Sequence, residues 1–187
     1  MILSDFDLRS EVQAKRIIID PFYGTSLTSN GYDLSVGEIV IERADSNGIF
    51  IPHKYVGKKL KYMTGKDFID VVVKGKEPIE IPPMTAFLVS TVEQIVLQAN
   101  TGASLYLKSK WARKNVMATF GFVDAGFNGT LTLSLFNASR NPLYIALGDR
   151  IVQICFHRLS SRAELDYAKR SGHFQNESGV TVEPKKD

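Results

Sequence analysis

Cysteine, histidine and long apolar runs are scarce in this sequence. With one cysteine and three histidines among 187 residues, no intramolecular disulfide can form, and a zinc site held by several Cys or His ligands is not expected. Cys155, in the apolar run IVQICF, is predicted to be a buried thiol, which fits a reducing compartment. No apolar stretch approaches the roughly 20 residues of a membrane span, and the charges in MILSDFDLRS argue against a signal peptide. We therefore expect a soluble cytoplasmic protein that binds no membrane.

Several catalytic signatures are also missing. The sequence has no P-loop, no GxGxxG after a strand, no HExxH and no paired CxxC. It also lacks the HxE…PCxxC pattern of zinc-dependent nucleoside deaminases. The net charge of +3 and the pI of about 8.9 are compatible with an anionic ligand, but they fall short of a nucleic-acid-binding signature. No nucleic-acid partner is therefore expected.

Short strand patterns dominate what is present. Apolar runs such as YDLSVGEIVIER, TAFLVSTVE, TLTLSLFN and RIVQICFHRL are separated by Gly, Asn, Asp and Pro at short intervals. This punctuation predicts a mainly all-β barrel or sandwich with one core. Helix signals are limited to a first helix, capped by Ser4 with Asp7 following, and to the short KSKWARK. Asn128-Gly129 predicts a tight hairpin turn.

Two segments differ from the strand pattern. Residues 44–66 are polar and lysine-rich and are predicted to form a surface excursion. We interpret its lysines as a solvated face, with a phosphate-binding patch as the alternative. These lysines are Lys54, Lys58, Lys59 and Lys61. Beyond about Ser160 apolar residues are few, which predicts either a disordered tail or an arm that orders over a partner or ligand.

Five stretches, in order along the chain, carry a family resemblance. They are NGYDLSVG (30–37), LKSKWARKNV (107–116), FVDAGFNGTLTLSLFN (122–137), GDRIVQICF (148–156) and SGHFQNESGV (171–180). Together they resemble the dUTPase/dCTP deaminase superfamily. The opening MILSDFDL and the run LFNASRNPLYIALGDRIVQICFHRL are most similar to the archaeal-type dUTPases, which are built on the deaminase-like frame.

The resemblance implies a fold and an assembly. Residues 1–160 would form a distorted β-barrel of the β-clip, jelly-roll-like type, and residues 161–187 a C-terminal arm over the active site. The protein would be a homotrimer with active sites at the subunit interfaces. Its ligand would be a deoxyribonucleoside triphosphate bound with Mg2+.

The resemblance assigns the central chemistry to Asp124. In dUTPases the matching carboxylate orients and deprotonates the water that attacks the α-phosphorus, and a carboxylate that is ionised at neutral pH suits this role. A turn cap is the alternative for an isolated VDAG. Phe127 takes the place of the aromatic that packs on the deoxyribose and leaves no room for a 2′-hydroxyl. Its alternative role is that of a core aromatic.

Residues of two other motifs are implied to hold the triphosphate. They are Lys108, Ser109, Lys110, Arg113 and Gln153. The usual arginine of the family is Lys108 here, which supplies charge without a bidentate fork, and a surface salt bridge is the alternative role of Arg113. Asp33 in GYDL is implied either to contact the hydration shell of the magnesium through water or to hold the fold together. Phe174 on the arm is implied to lie over the base.

Ser134 separates the two reactions of the superfamily. In the deaminase branch, a glutamate ten residues beyond the equivalent of Asp124 carries protons between water, the ring nitrogen and the departing ammonia, and here that position is Ser134. A serine hydroxyl does not exchange protons near neutral pH without an activating partner. By strand alternation Ser134 shares a face with Thr132 and Phe136, so Thr132 and Ser134 are both expected to line the site. Phosphoryl transfer has no need of the missing acid.

The sequence therefore favours a dUTP diphosphatase. Water activated by Asp124 would attack dUTP bound with Mg2+ and release dUMP and pyrophosphate. A dCTP deaminase, or a bifunctional dCTP deaminase and dUTPase, is the first alternative, and it requires a carboxylate from elsewhere, such as a neighbouring subunit. A non-catalytic nucleotide-sensing trimer is the second, because the altered KSKWAR could bind nucleotide without turning it over.

Overall fold

The chain folds mainly into β-strands in the computed structural model, which describes residues 1–44, 50–56, 59–64, 67–72, 78–170 and 172–181. The helices of this part are α1 (Asp5–Gln13), α2 (Ser109–Ala112) and α3 (Tyr167–Arg170), with a 3-10 turn at Gly24–Ser26. The strands are β1 (Ile17–Asp20), β2 (Leu27–Thr28), β3 (Gly31–Ala44), β4 (Phe50–Val56), β5 (Lys59–Thr64), β6 (Asp67–Val72), β7 (Ile79–Ile81), β8 (Thr85–Thr91), β9 (Gln94–Leu97), β10 (Thr101–Leu107), β11 (Val116–Thr119), β12 (Asn128–Gly129), β13 (Thr132–Asn137), β14 (Leu143–Ile145) and β15 (Arg150–Arg158). None of the described helices is both long and apolar enough to cross a membrane.

Ten of the described strands form one antiparallel sheet. Its main path runs β11-β13-β8-β3-β4-β5-β6, while β15 pairs with both β3 and β10, and β2 pairs with β3. The smaller sheets β1-β9-β12 and β14-β7 complete a nearly closed, barrel-like arrangement. The prediction of a mainly β, barrel-like protomer is confirmed.

The core follows from strand alternation. In β13, Leu133 and Leu135 are buried while Ser134 between them is exposed, which confirms the predicted face of this strand. Full burial of one such aliphatic side chain stabilises the fold by roughly 1.5–3 kcal/mol. Cys155 on β15 is also buried, as predicted, and burial raises the pKa of its thiol. A thiol in this setting is a packing residue rather than a reactive one.

The two predicted helices are confirmed, and local contacts explain both. The Ser4 hydroxyl accepts from the Asp7 backbone N–H at 3.2 Å, and the Asp7 carboxylate accepts from the Ser4 N–H at 3.4 Å, so a capping box starts α1. The short α2 is anchored by Trp111, which is 1% exposed. Its indole N–H donates to the Arg150 carbonyl at 2.8 Å.

The predicted hairpin turn at Asn128-Gly129 is wrong. These residues form β12, which pairs with β9. The tight turn lies three residues earlier, where the Phe127 N–H donates to the Asp124 carbonyl at 3.1 Å and Gly126 has a φ of +86°. A positive φ at the third position of a turn favours glycine, so the glycine of VDAG determines where the chain reverses.

The lysine-rich excursion contains regular strands. β3, β4, β5 and β6 pair successively in antiparallel register through this region. The side chains of its lysines lie outside the described residues, so the solvated-face interpretation stays a prediction for Lys54, Lys58, Lys59 and Lys61.

A buried carboxylate, Glu93, lies between β8 and β9. Its side chain is fully buried, and Oε2 accepts from the Ser35 N–H at 2.9 Å. Within the described part of the chain, Oε1 has no hydrogen-bond partner. Burial raises the pKa of Glu93 above its ordinary value of 4.5 because the charged form is poorly solvated there.

Glu93→Gln is expected to flatten the dependence of stability on pH. Because the folded protein holds the Glu93 proton more tightly than the unfolded chain, the free energy of unfolding falls as the pH rises from 4.5 through the raised pKa. Glutamine stays neutral and still offers an oxygen to the Ser35 N–H. Urea unfolding of both proteins near pH 5 and pH 8 measures the effect. An equal loss of stability in the two proteins would contradict this account.

Candidate active site

A pocket of about 440 Å³ opens beside the loop that joins β11 to β12. Its walls are largely apolar and include Leu105, Phe122, Leu131 and Tyr167. A concave, mostly apolar pocket with a few polar groups is the usual form of a small-molecule site.

Besides the hydroxyl of Tyr167, the polar side chains of the pocket are two carboxylates and three threonines. They are Asp124, Glu177, Thr130, Thr132 and Thr181. The described residues that line the pocket include no lysine or arginine. The pocket therefore provides acceptors and hydroxyls but no positive charge of its own.

Asp124 is held at the head of this pocket by its neighbours in the chain. Val123 and Ala103 exchange two backbone hydrogen bonds, of 2.8 and 2.9 Å, and the Asp124 carbonyl accepts from Phe127 as described above. The Asp124 residue itself is exposed and lines the pocket. A rigid turn thus presents a solvent-accessible carboxylate.

Two predicted aromatics share the pocket with Asp124. Phe127 is 7% exposed, and its ring packs against Tyr167 with centroids 5.8 Å apart, so it is both a core residue and part of the wall. Phe174 is 40% exposed and its N–H donates to the Tyr167 hydroxyl at 3.2 Å. Both rings are positioned to contact a ligand.

The C-terminal arm forms part of the pocket wall. The Tyr167 N–H donates to the Ala125 carbonyl at 2.8 Å, and the Asn176 N–H donates to the Asn128 carbonyl at 2.7 Å. Up to Thr181, the last described residue, the arm packs on its own chain. These main-chain hydrogen bonds hold the arm beside the loop that carries Asp124.

The predicted triphosphate ligands lie outside this pocket, around the start of α2. We call Lys108, Ser109, Lys110, Arg113 and Gln153 the cationic cluster. Gln153 lies beside Asp33 in the register of β15 and β3, and its Nε2 donates to the Thr28 hydroxyl at 2.5 Å. Ser109, Lys110 and Arg113 are exposed. None of the cluster members lines the pocket that contains Asp124.

Lys110 also contacts two residues outside the cationic cluster. Its ammonium lies 3.8 Å from the Asp149 carboxylate and 4.7 Å from the centroid of the Trp111 ring. Lys114 also lies over this ring, at 5.2 Å. Two cations thus cover the buried Trp111 ring, while its indole N–H donates to the Arg150 carbonyl.

Asp33 is buried, and its carboxylate forms an ion pair with Lys108. In the described part of the chain its Oδ1 has no hydrogen-bond partner. Of the two roles that the resemblance implied, this pairing supports the one of holding the fold together, since a buried carboxylate needs a charged partner.

Thr132 and Ser134 differ in position although they share a face of β13. Thr132 lines the pocket, and its hydroxyl oxygen accepts from the Thr181 N–H at 3.0 Å. Ser134 is exposed, pairs with Thr119 and Leu88 on neighbouring strands, and is not among the pocket residues. The structure thus brings Thr132 to Asp124 but not Ser134.

Sequence reasoning missed Glu177, Thr130 and Thr181. All three line the pocket, but two lie on the arm, and only Phe174 was selected there from the motif SGHFQNESGV. Glu177 is the one acidic residue of that motif, and its carboxylate was the signal that could have marked it as a site residue.

A sequence model of the dCTP deaminase-like family matches residues 2–159. The chain belongs to the dCTP deaminase-like family. The prediction of the superfamily from five ordered motifs is confirmed. The barrel-like fold of the chain and the apolar pocket around Asp124 are therefore features of a dCTP deaminase-like protein.

Individual relatives refine the comparison. A Pyrococcus furiosus protein named dCTP deaminase is 33% identical over 186 residues, which cover 100% of this chain and 99% of the relative. A protein of Pseudarthrobacter chlorophenolicus named "dCTP deaminase, dUMP-forming" is 30% identical over 186 residues, which cover 97% and 94%. These relatives are named dCTP deaminases. Their names do not support the predicted similarity to archaeal-type dUTPases.

A solved structure supports the fold. The 2′-deoxycytidine 5′-triphosphate deaminase from Agrobacterium tumefaciens aligns with a TM-score of 0.60 at 19% identity, over 84% of this dCTP deaminase-like chain. The alignment covers 48% of that structure, so this chain spans about half its length.

Proposed function

We propose that this dCTP deaminase-like protein is an enzyme that deaminates dCTP at C4 of cytosine. The observation that carries the proposal is the pocket itself. In a chain that matches the family over residues 2–159, an exposed carboxylate, Asp124, lines the same pocket as the aromatic side chain of Phe174 on the arm. Relatives of similar length that are named for this substrate support it.

The charges of the pocket bear on how a triphosphate would bind. Two carboxylates and no described cation line it, and like charges a few ångströms apart repel strongly outside bulk water. A triphosphate therefore needs positive charge from another surface. We propose that the cationic cluster of a neighbouring subunit supplies it, in a homotrimer whose sites lie between subunits.

Magnesium fits this arrangement as a companion of the triphosphate. Mg2+ binds hard oxygen ligands and usually keeps several waters, with one or two carboxylates and the substrate phosphates. Asp124 is the residue that would contact its hydration shell, whereas Asp33 is already paired with Lys108. The described residues contain no cluster of three or more metal-ligating side chains. When bound, the ion would neutralise phosphate charge.

Hydrolysis of dUTP to dUMP and pyrophosphate is the second candidate. It is favoured by Ser134, which replaces the proton-carrying glutamate of the deaminase branch. An activated water is its main requirement, and Asp124 is exposed at the head of the pocket. The two reactions are compatible in one protein, since the first makes the substrate of the second.

Separate incubations with dCTP and with dUTP, each with Mg2+, test the proposal when products are resolved by anion exchange. Formation of dUTP or dUMP from dCTP is the expected result. Turnover of dUTP alone would select the second candidate, and no turnover of either would contradict both. Parallel tubes with excess EDTA show whether the metal is needed.

A further inference from the structure

The pocket contains a second carboxylate, Glu177, that no motif had assigned to the site. It lies on the C-terminal arm and lines the same pocket as Asp124. A deamination needs a group that takes a proton from water and returns it to the base and the leaving nitrogen. Ser134 does not supply one, so any other acid in the pocket bears directly on the proposed reaction.

The backbone of Glu177 is fixed to β12. Gly129 and Glu177 form a parallel bridge, and the Thr130 N–H donates to the Glu177 carbonyl at 3.0 Å. A Cβ at Gly129 would lie 3.1 Å from that carbonyl oxygen, so glycine permits the close approach of the arm. Glu177 is therefore positioned by main-chain contacts that do not depend on its side chain.

The side chain of Glu177 is also oriented. The Thr181 hydroxyl donates to Oε2 at 3.0 Å, and the residue is half-buried in a pocket with mostly apolar walls. Thr132, two residues before Ser134 on the same face of β13, accepts from the N–H of Thr181. The arm thus places the Glu177 carboxylate near Thr132, at one end of the face of β13 that carries Ser134. Ser134 occupies the position of the glutamate of the deaminase branch.

We propose that Glu177 is the catalytic residue that carries protons during deamination, an inference that rests on the proposed function. Glu177 accepts a proton from water as the water oxygen bonds to C4, and that proton passes to N3 of the ring. The new C4 hydroxyl then gives its proton through Glu177 to the amino nitrogen. The C4–N4 bond breaks with its electron pair on nitrogen, so dCTP and water give dUTP and ammonia.

Glu177→Gln separates this role from a structural one. Glutamine keeps an oxygen that accepts from the Thr181 hydroxyl, and the bridge to Gly129 involves only main-chain atoms. The variant loses the negative charge and the ability to take up a proton, while the main-chain contacts of the arm are kept. Glu164→Gln removes the same charge from an exposed arm residue outside the pocket and is the matched control.

The test is steady-state deamination of dCTP by full-length wild-type, Glu177→Gln and Glu164→Gln proteins across a pH series, with binding of dCTP measured by calorimetry. Glu177→Gln is expected to lose at least about a hundredfold in kcat, the low end for a general base. Its dissociation constant for dCTP should stay near the wild-type value. Glu164→Gln should match the wild type.

The outcomes distinguish this inference from the proposed function. If the wild type deaminates dCTP and Glu177→Gln does so equally fast, Glu177 is not the proton carrier, although the function stands. Loss of dCTP binding in Glu177→Gln would also overturn it, because the side chain would then only hold the arm or ligand. A wild-type protein that never deaminates dCTP overturns the function and the inference together.

Discussion

Asp124→Asn is expected to release pyrophosphate from dUTP at least about a hundredfold more slowly than the wild-type protein, as for loss of a general base. Asparagine has nearly the same shape but takes no proton from water at neutral pH. The turn that holds position 124 uses main-chain atoms, so nucleotide binding should persist. Product formation by anion exchange and dUTP binding by calorimetry measure the two effects separately.

The Glu177→Gln variant serves as the crossed comparison. Asp124→Asn should slow hydrolysis of dUTP more than deamination of dCTP, and Glu177→Gln should do the opposite. This reversal is expected if the two carboxylates serve different reactions. If they act as one unit, each substitution should slow both reactions. Near-normal hydrolysis by Asp124→Asn would refute the role of Asp124.

Trp111→Ala is expected to lower the free energy of unfolding by about 3–5 kcal/mol, the usual range for truncating a buried tryptophan. The side chain is 1% exposed, so its removal leaves a cavity under α2 and an unpaired carbonyl at Arg150. Urea unfolding followed by circular dichroism measures the loss. A change below about 1 kcal/mol would contradict the anchoring role, since surface substitutions stay within that range.

Trp111→Phe is the matched control. It keeps most of the apolar volume but not the indole N–H that donates to the Arg150 carbonyl. Trp111→Phe should lower the free energy of unfolding less than Trp111→Ala does. The difference between the two variants measures the contribution of apolar packing at this site. The cationic cluster begins in the same turn, so Trp111→Ala should also weaken nucleotide binding.

Features set by neighbouring residues were predictable from the sequence. The cap of α1 depends on Ser4 and Asp7, three positions apart, and Trp111 falls within the short helix that KSKWARK predicted. The strand faces of β13 followed from simple alternation. Asp124, Phe127, Thr132 and Phe174 do line one pocket, although their roles stay predictions.

Features set by distant contacts were not predictable. Asn128-Gly129 has the composition of a hairpin turn, but pairing with β9 extends it into a strand. Glu177 lies far along the chain from Gly129, and no local pattern states that the two meet. The separation of the cationic cluster from Asp124 also depends on tertiary structure, because the motifs of both are adjacent in sequence.

The setting of Trp111 gives the protein an internal optical probe. It is the single tryptophan of the chain, so all indole fluorescence comes from one site beside the cationic cluster. The Lys110 ammonium lies over its ring at 4.7 Å, and a phosphate that attracts this lysine would change the charge that the excited indole experiences. The fluorescence emission of Trp111 is therefore expected to report binding of phosphate at the cationic cluster. It does so whether or not the bound nucleotide is turned over.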